Sequence, residues 1–341
     1  MFVSYTSSDE YAPMTGISIY SLLSNNTQTD EITIFLLDLG ITDENKKKIN
    51  GVVSYFGRRI EYIQVNDSVI ENYIGAKVPA HYGSLATYAR LCAPVMYPKS
   101  IHRLIYIDSD MIINGSMEEL WNLDMREKIV AAVPEVFDLD TIAGRSGEER
   151  RIAKKHEIYF NAGLLLINVE NWKKFSFESS VRNAARSMKE FCHKDQSILN
   201  NALDNKYLYR LPCKYNFTLH YLPRYLIHSW AKHSHPLAKE EIMEASSHPI
   251  VVHYAGDQAR PWFIENTSFL SNIYDYYKNK SCFCDQEKSS LFSTGKFKRF
   301  GRANLLLTKV LYTYYQKPLG LPLYIASRIR VKLRAHRREK I

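Results

Sequence analysis

Two carboxylates one residue apart, Asp108 and Asp110, close an apolar run that begins at Arg103-Leu104-Ile105-Tyr106-Ile107 and resumes as Met111-Ile112-Ile113. The β-branched and aromatic run reads as a buried strand. On an extended chain residues i and i+2 point the same way, so the two acids converge on one point. In an α/β protein that point lies beyond the carboxyl end of a strand, where open sheets bind ligands. Ionised carboxylates that close repel unless a cation sits between them. A divalent metal held by oxygens, itself holding phosphate oxygens, is the economical chemistry; a solvated Asp-X-Asp turn is the plain alternative.

The elements around this strand suit that chemistry. A strand over 2–6, an apolar helix face at Ile17, Ile19, Tyr20, Leu22 and Leu23, a strand over Glu31–Asp38, a helix capped by Thr42 and a strand over Arg59–Val65 make a βαβαβ rhythm. It predicts a parallel, doubly wound α/β sheet with a nucleotide crevice. No G-x-G-x-x-G or Walker loop is present, so glycine turns do not cradle phosphates here, which agrees with a metal in that role. Further on come a helix over Tyr82–Val95 carrying Arg90, a strand over Lys128–Val133 leading to Glu135, and a polar stretch, 138–156, expected to act as a lid. The stretch Glu157–Val169 contains Tyr159-Phe160-Asn161-Ala162-Gly163 and then a strand of Leu164, Leu165, Leu166 and Ile167. A helix runs from about 171 to 190, another opens at Lys194-Asp195-Gln196, and a short strand, Ile250–Gly256, carries His253.

The 341 residues carry a formal charge of +9. From Lys296 onward 13 basic residues face one acid, whereas 1–295 holds 32 basic and 35 acidic residues. A nucleic-acid groove across the main body is thereby disfavoured. Basic helices with aromatic edges, over about 305–315 and 321–333 beyond a linker at 286–295, are expected to touch an anionic membrane surface. No stretch approaches the length of a membrane span. The five scattered cysteines and the absence of a leader suggest a reduced, cytoplasmic protein at the inner face of the membrane. Cys282-Phe283-Cys284 is neutral in this reading.

The ordered set Asp108-Ser109-Asp110, Tyr159-Phe160-Asn161-Ala162-Gly163, Asp195-Gln196 and His253-Tyr254-Ala255-Gly256 followed by Arg260-Pro261-Trp262 resembles the retaining glycosyltransferases of family 8, the galactosyltransferase and glycogenin-like group, over roughly residues 1–265. The resemblance implies a GT-A type single Rossmann-like domain with a mixed central sheet over 1–265, followed by a helical basic extension over 266–341. It implies Mn²⁺, with Mg²⁺ possible, held by Asp108, Asp110 and His253, and a UDP-sugar as donor. An imidazole with two carboxylates suits Mn²⁺ better than Ca²⁺.

By the same resemblance Tyr11 stacks on uracil, while Thr6, Ser8 and Asp9 meet the base and ribose. The family often has Asp where Ser8 stands. Arg90, in Thr87-Tyr88-Ala89-Arg90, braces a metal carboxylate and touches the donor sugar, as a guanidinium does better than an ammonium. Ser109 lies along the donor, Asn161 contacts its sugar, and Gly256 and Arg260 cover the diphosphate. Arg260 replaces the family's usual lysine, in a loop one residue longer. Glu135 contacts the acceptor. Gln196 lies opposite the leaving group, where a neutral amide is a poor nucleophile. Asp195 binds sugar hydroxyls, is the alternative nucleophile, and by its position could simply cap a helix.

The function so implied is metal-dependent, retaining, front-face transfer of glucose or galactose from UDP-glucose or UDP-galactose to a glycan or glycolipid, as in lipopolysaccharide or cell-surface glycan synthesis. The alternatives are an inverting transferase with Glu135 as base and a non-catalytic nucleotide-sugar scaffold. Oligomeric state is not legible.

Overall fold

The computed structural model describes residues 1–80, 84–135, 158–189, 191, 193–218, 237–256, 260–264, 266, 268 and 270–290. The expected lid at 138–156 and the basic helices after 304 lie outside the described residues.

The centre is a seven-stranded sheet: β1 (Phe2–Ser7), β2 (Thr33–Asp38), β3 (Arg59–Gln64), β4 (Arg103–Ile107), β6 (Val130–Pro134), β7 (Phe160–Asn168) and β8 (Leu208–Arg210), in the order β3-β2-β1-β4-β7-β6-β8. The first four run parallel. β7 is antiparallel to both β4 and β6, and β8 is parallel to β6. The α/β class and the mixed sheet are as expected; the parallel rhythm predicted from the first 65 residues extends only as far as β4.

The strand order reverses between β1 and β4, so their carboxyl ends open a crevice at the switch point. Both faces of the sheet are covered. Helices α1 (Ala12–Asn25) and α2 (Asp43–Tyr55) pack on one face, with Ile17, Leu22, Ile49 and Val53 buried. Helices α3 (Asp67–Ile74) and α4 (Ala89–Met96) pack on the other, with Ile70, Ile74 and Leu91 buried. Thr42 caps α2 as predicted, accepting from the Asn45 N–H.

The run at 103–113 is not one strand. β4 ends at Ile107, Asp108-Ser109-Asp110 turns, and β5 (Met111–Ile113) enters a second sheet of order β5-β10-β9. There β10 (Val251–His253) is antiparallel to β5 and parallel to β9 (Phe217–Thr218). The helix expected from 171 to 190 is two, Val169–Lys174 and Phe177–Ser187, broken where Ser176 takes a positive φ of 49°. Past residue 265 the chain still feeds the main core. Tyr274 and Tyr277 of the helix Ser271–Lys280 are buried, as is Phe283, whose ring lies against Gly16 of α1.

Candidate active site

Asp108 and Asp110 do converge, but through a turn rather than an extended strand. The Met111 N–H donates to the Asp108 carbonyl at 3.2 Å, folding the tripeptide back. The Asp108 N–H is tied to the Gly163 carbonyl of β7 at 2.9 Å, and the Tyr254 N–H to the Asp110 carbonyl at 2.9 Å. The small sheet then sets His253 opposite Met111. Asp108, Asp110 and His253 each present a ligand atom, all within 4.8 Å of one another. His253 Nε2 stands 3.2 Å from Asp110 Oδ1.

Gly163 permits this approach. A Cβ there would lie 2.6 Å from His253 Cε1 and 2.6 Å from Met111 Cε.

Arg90, buried at the start of α4, ties the cluster to the rest of the site. Its Nη2 is 2.8 Å from Asp108 Oδ1, and its Nε is 2.7 Å from Asp195 Oδ2. It also donates to the Ala162 carbonyl and lies 4.8 Å over the Tyr106 ring. Asp195 takes a second hydrogen bond from the Thr87 hydroxyl. It therefore does not cap its helix, Lys194–Ala202, as its position allowed; His193 occupies the cap without a side-chain bond. Asn200 on the next turns of this helix bonds both the N–H and the carbonyl of Phe160, at 2.8 and 2.9 Å, and so pins the helix to β7.

The other expected residues divide by what they touch. Gln196 accepts from the Ala162 N–H at 3.0 Å and donates to Glu135 Oε2 at 3.4 Å. Asn161 donates to that same Glu135 oxygen at 2.8 Å. Glu135, at the end of β6, is thus brought beside Asn161 and Gln196. Ser109 donates to the Thr6 carbonyl at 2.7 Å, spanning the crevice between β1 and β4, and accepts from Thr15 at 2.8 Å. Arg260 reaches Asp110 at 3.5 Å with its guanidinium 5.7 Å from the Tyr11 ring, so the longer loop still delivers it to the cluster. Gly256 has a φ of +89°, a conformation that favours glycine. Asp9 is tied to the start of α2: its Oδ1 accepts from the Thr42 N–H, the Thr42 hydroxyl and Asn45. Ser8 is half-buried, and its carbonyl accepts from the Tyr11 N–H at 3.2 Å. Thr15, Thr87, Asn200 and Asn216 escaped the sequence reading. Threonines and asparagines are common in helices and loops, and no spacing marks these four.

The electrostatics favour a cation. Burial pushes the Asp108 carboxyl up, and the charge of Asp110 adds to the rise; Arg90 opposes it. Burial also works against ionisation of Asp110, but His253, Arg260 and Arg90 outweigh it and hold that carboxyl well below the usual range. His253 is raised because Asp110 outweighs the burial of the ring. Among the described residues, the carboxyl groups of Asp108, Asp110, Glu135 and Asp195 gather about two guanidinium groups, Arg90 and Arg260, and the imidazole of His253. Two carboxylates and an imidazole nitrogen are a donor set that divalent first-row metals accept, so the residues present fit such an ion.

A Haemophilus influenzae protein is 33% identical over 219 residues, which cover 64% of this chain and 63% of that protein. General stress protein A of Bacillus subtilis is 28% identical over 262 residues, 74% of this chain and 84% of that protein. Lipopolysaccharide glucosyltransferase WaaO of Escherichia coli is 25% identical over 252 residues, covering 72% and 68%. Among solved structures, the galactosyltransferase LgtC in complex with donor and acceptor sugar analogs superposes with a TM-score of 0.63 at 22% identity, covering 87% of this chain and 100% of that one. At that identity the likeness concerns the fold. The description Glycosyl transferase family 8 matches residues 2–265, which hold every residue of the site above, and the chain belongs to that family.

Proposed function

We propose that this protein transfers a hexose, glucose or galactose, from a UDP-sugar to a glycan or glycolipid acceptor, with retention of configuration and with Mn²⁺ held by Asp108, Asp110 and His253. The observation that carries this reading is the buried Arg90 bridge, which joins Asp108 of the candidate metal cluster to Asp195 beside Gln196. A metal–diphosphate site and a sugar site must sit one glycosidic bond apart, and Arg90 ties the two carboxylates that would mark them. The similar proteins WaaO and LgtC, a glucosyltransferase and a galactosyltransferase by name, support the same kind of transfer.

When bound, the cation supplies charge to offset the departing diphosphate. Arg260, beside Asp110, adds a second positive charge where the phosphates would lie. Tyr11, near Arg260, would stack on the base. The Ser109–Thr6–Thr15 contacts hold the floor of the nucleotide crevice.

The choice between routes to retention rests on Gln196 and Asp195. Gln196 is neutral, and both oxygens of Asp195 are engaged, by Arg90 and by Thr87. A covalent glycosyl carboxylate would require Asp195 to leave those partners. A front-face substitution asks for less. The bond from the anomeric carbon to the UDP oxygen breaks, and the acceptor oxygen bonds to the same face. Its proton passes to the leaving phosphate oxygen, while the Gln196 carbonyl dipole steadies the positive charge. Glu135, the base an inverting enzyme would need, has its Oε2 already engaged by the Asn161 and Gln196 amides.

A screen of UDP-sugar hydrolysis and transfer with Mn²⁺ tests the reading. Turnover of UDP-glucose or UDP-galactose that chelation and Asp110→Ala both abolish is the expected result, with an α-linked product by NMR. Full transfer by Asp110→Ala in chelator would sink the metal, and a β-linked product would sink retention. Tight UDP-sugar binding with no turnover across varied acceptors would favour the scaffold instead. The expected contact of the C-terminal basic segment with an anionic membrane is tested by liposome flotation of a chain lacking 296–341. Undiminished flotation would remove it. No helix among the described residues is long and apolar enough to cross a membrane.

A further inference from the structure

Asn216 precedes β9 and is fully buried, with 0% of its surface exposed. Its side chain lies between Asn161 and His253. Hydrogen-bond direction along this row can be deduced from one group that has no choice. A backbone N–H only donates, and the Gly163 N–H lies 2.8 Å from Asn161 Oδ1. The Asn161 oxygen is therefore the atom turned to Gly163. The Asn161 nitrogen, which can only donate, is left facing Glu135 Oε2 at 2.8 Å.

The same Asn161 oxygen faces Asn216 at 2.8 Å. Two amide oxygens cannot bond each other, so the Asn216 atom there is Nδ2. Asn216 Oδ1 then faces His253 Nδ1 at 2.9 Å. An amide oxygen only accepts, so the ring proton belongs on Nδ1. The Nε2 of the neutral ring is left with its lone pair toward Asp110 Oδ1, 3.2 Å away. Two acceptors in that position repel unless a cation or proton lies between them. Without Asn216 the stronger acceptor, the Asp110 carboxylate, would draw the ring proton onto Nε2 and close the nitrogen to a metal.

We propose that Asn216 is a positioning residue: it keeps the proton of neutral His253 on Nδ1, and so keeps the Nε2 lone pair open to a divalent cation shared with Asp108 and Asp110. The row Gly163–Asn161–Asn216–His253 transmits this direction from a strand backbone to the ring, and through Glu135 it also touches Gln196. The part concerning the cation rests on the metal site proposed above; the position of the proton does not.

Nitrogen-15 NMR of histidine-labelled, metal-free protein reads the proton directly. The His253 signals are assigned by their loss in His253→Gln and observed once the ring is neutral. A protonated Nδ1 and a bare Nε2 are expected, and a protonated Nε2 overturns the proposal. Asn216→Leu removes the acceptor at similar size. It should move the proton to Nε2 and weaken Mn²⁺ binding in the presence of UDP, read as free Mn²⁺ by electron paramagnetic resonance, by roughly 10- to 100-fold.

Asn216→Asp keeps an acceptor for Nδ1, and a carboxylate is a common partner of a metal-bound histidine, although its other oxygen then meets Asn161 Oδ1. It should keep the ring proton on Nδ1 and lose less Mn²⁺ affinity than Asn216→Leu. Unchanged Mn²⁺ affinity in Asn216→Leu, or a ring proton on Nε2 in Asn216→Asp, overturns the proposal. Should Asn216→Leu fail to fold, the wild-type spectrum and Asn216→Asp still decide. A wild-type chain that binds no Mn²⁺ overturns the metal site and with it the cation half of this inference, while the spectrum judges the proton half separately.

Discussion

Arg90 donates from Nε to Asp195 Oδ2 at 2.7 Å, deep in the site and with both side chains nearly closed to solvent. The pair joins helix α4 to the helix that carries Gln196, and the same guanidinium holds Asp108 with its other edge. Removing one partner of a buried ion pair strands the other, at a cost of about 3–5 kcal/mol. Arg90→Ala should therefore lower the unfolding free energy by about that much in urea titration. Arg90→Lys should be milder in stability yet still lose most transfer activity, because an ammonium cannot hold two carboxylates in a fixed fork. Wild-type turnover by Arg90→Lys would show that the bridge is not needed.

Gly163 lies against His253 and Met111 with no room for a Cβ. A methyl group there meets His253 Cε1 and Met111 Cε at 2.6 Å each. The thioether end of Met111 can move; the ring, held by Asn216 and Asp110, has less room. Gly163→Ala should displace the ring and weaken Mn²⁺ binding by roughly tenfold, a typical loss when the support of a metal ligand shifts. Calorimetric titration with Mn²⁺ in the presence of UDP measures it.

Gly16 of α1 plays the corresponding part for the C-terminal segment. Its missing Cβ would collide with the Phe283 ring. Gly16→Ala forces overpacking worth about 1–3 kcal/mol, and Phe283→Ala leaves a cavity worth about 3–5 kcal/mol. In the double variant the new methyl enters the space the ring has left. The two losses should then be less than additive by at least about 0.5 kcal/mol, as read from urea midpoints. Strict additivity would mean that the two residues do not share a contact in solution.

Asp38, at the carboxyl end of β2 beside Ser7, supplies a pH-dependent contribution to stability. Burial opposes its ionisation, but Lys46 at 2.7 Å, the Ile41 N–H and Gln64 outweigh burial and lower its pKa. A carboxyl depressed on folding stabilises the protein above the unfolded value near about 3.9. That contribution is lost as pH falls through the lower folded value. Asp38→Asn should be less stable than wild type at pH 7, and the gap should narrow as the pH is taken down toward the acid limb. Urea midpoints at several pH values check this; a gap that widens toward acid would reverse the sign.

The elements of the first half were legible because each carries a strong local signal. Phe2–Ser7, Thr33–Asp38 and Arg59–Gln64 are apolar or alternating runs, and Thr42 is a capping residue ahead of a charged helix. The short strands Phe217–Thr218 and Leu208–Arg210 carry too few residues to show any period. Helix Asp67–Ile74, with Asn66 as its cap and Gly75 as its stop, was equally unread, although those two residues mark its ends.

The α/β class and the pairing of the two carboxylates follow from residue type and spacing along the chain. The order of the motifs carries the family, and His253 joined the two acids only through that resemblance. Only the tertiary structure decided why Asp108 and Asp110 meet: a turn folds them back, and β5 leaves β4 for another sheet. Only it placed Asp9 on Thr42, Asp195 on Arg90, and Asn216 between Asn161 and His253. Those contacts join segments far apart in the chain, and a side chain chooses its partner by distance and hydrogen-bond direction in space, which no local pattern encodes.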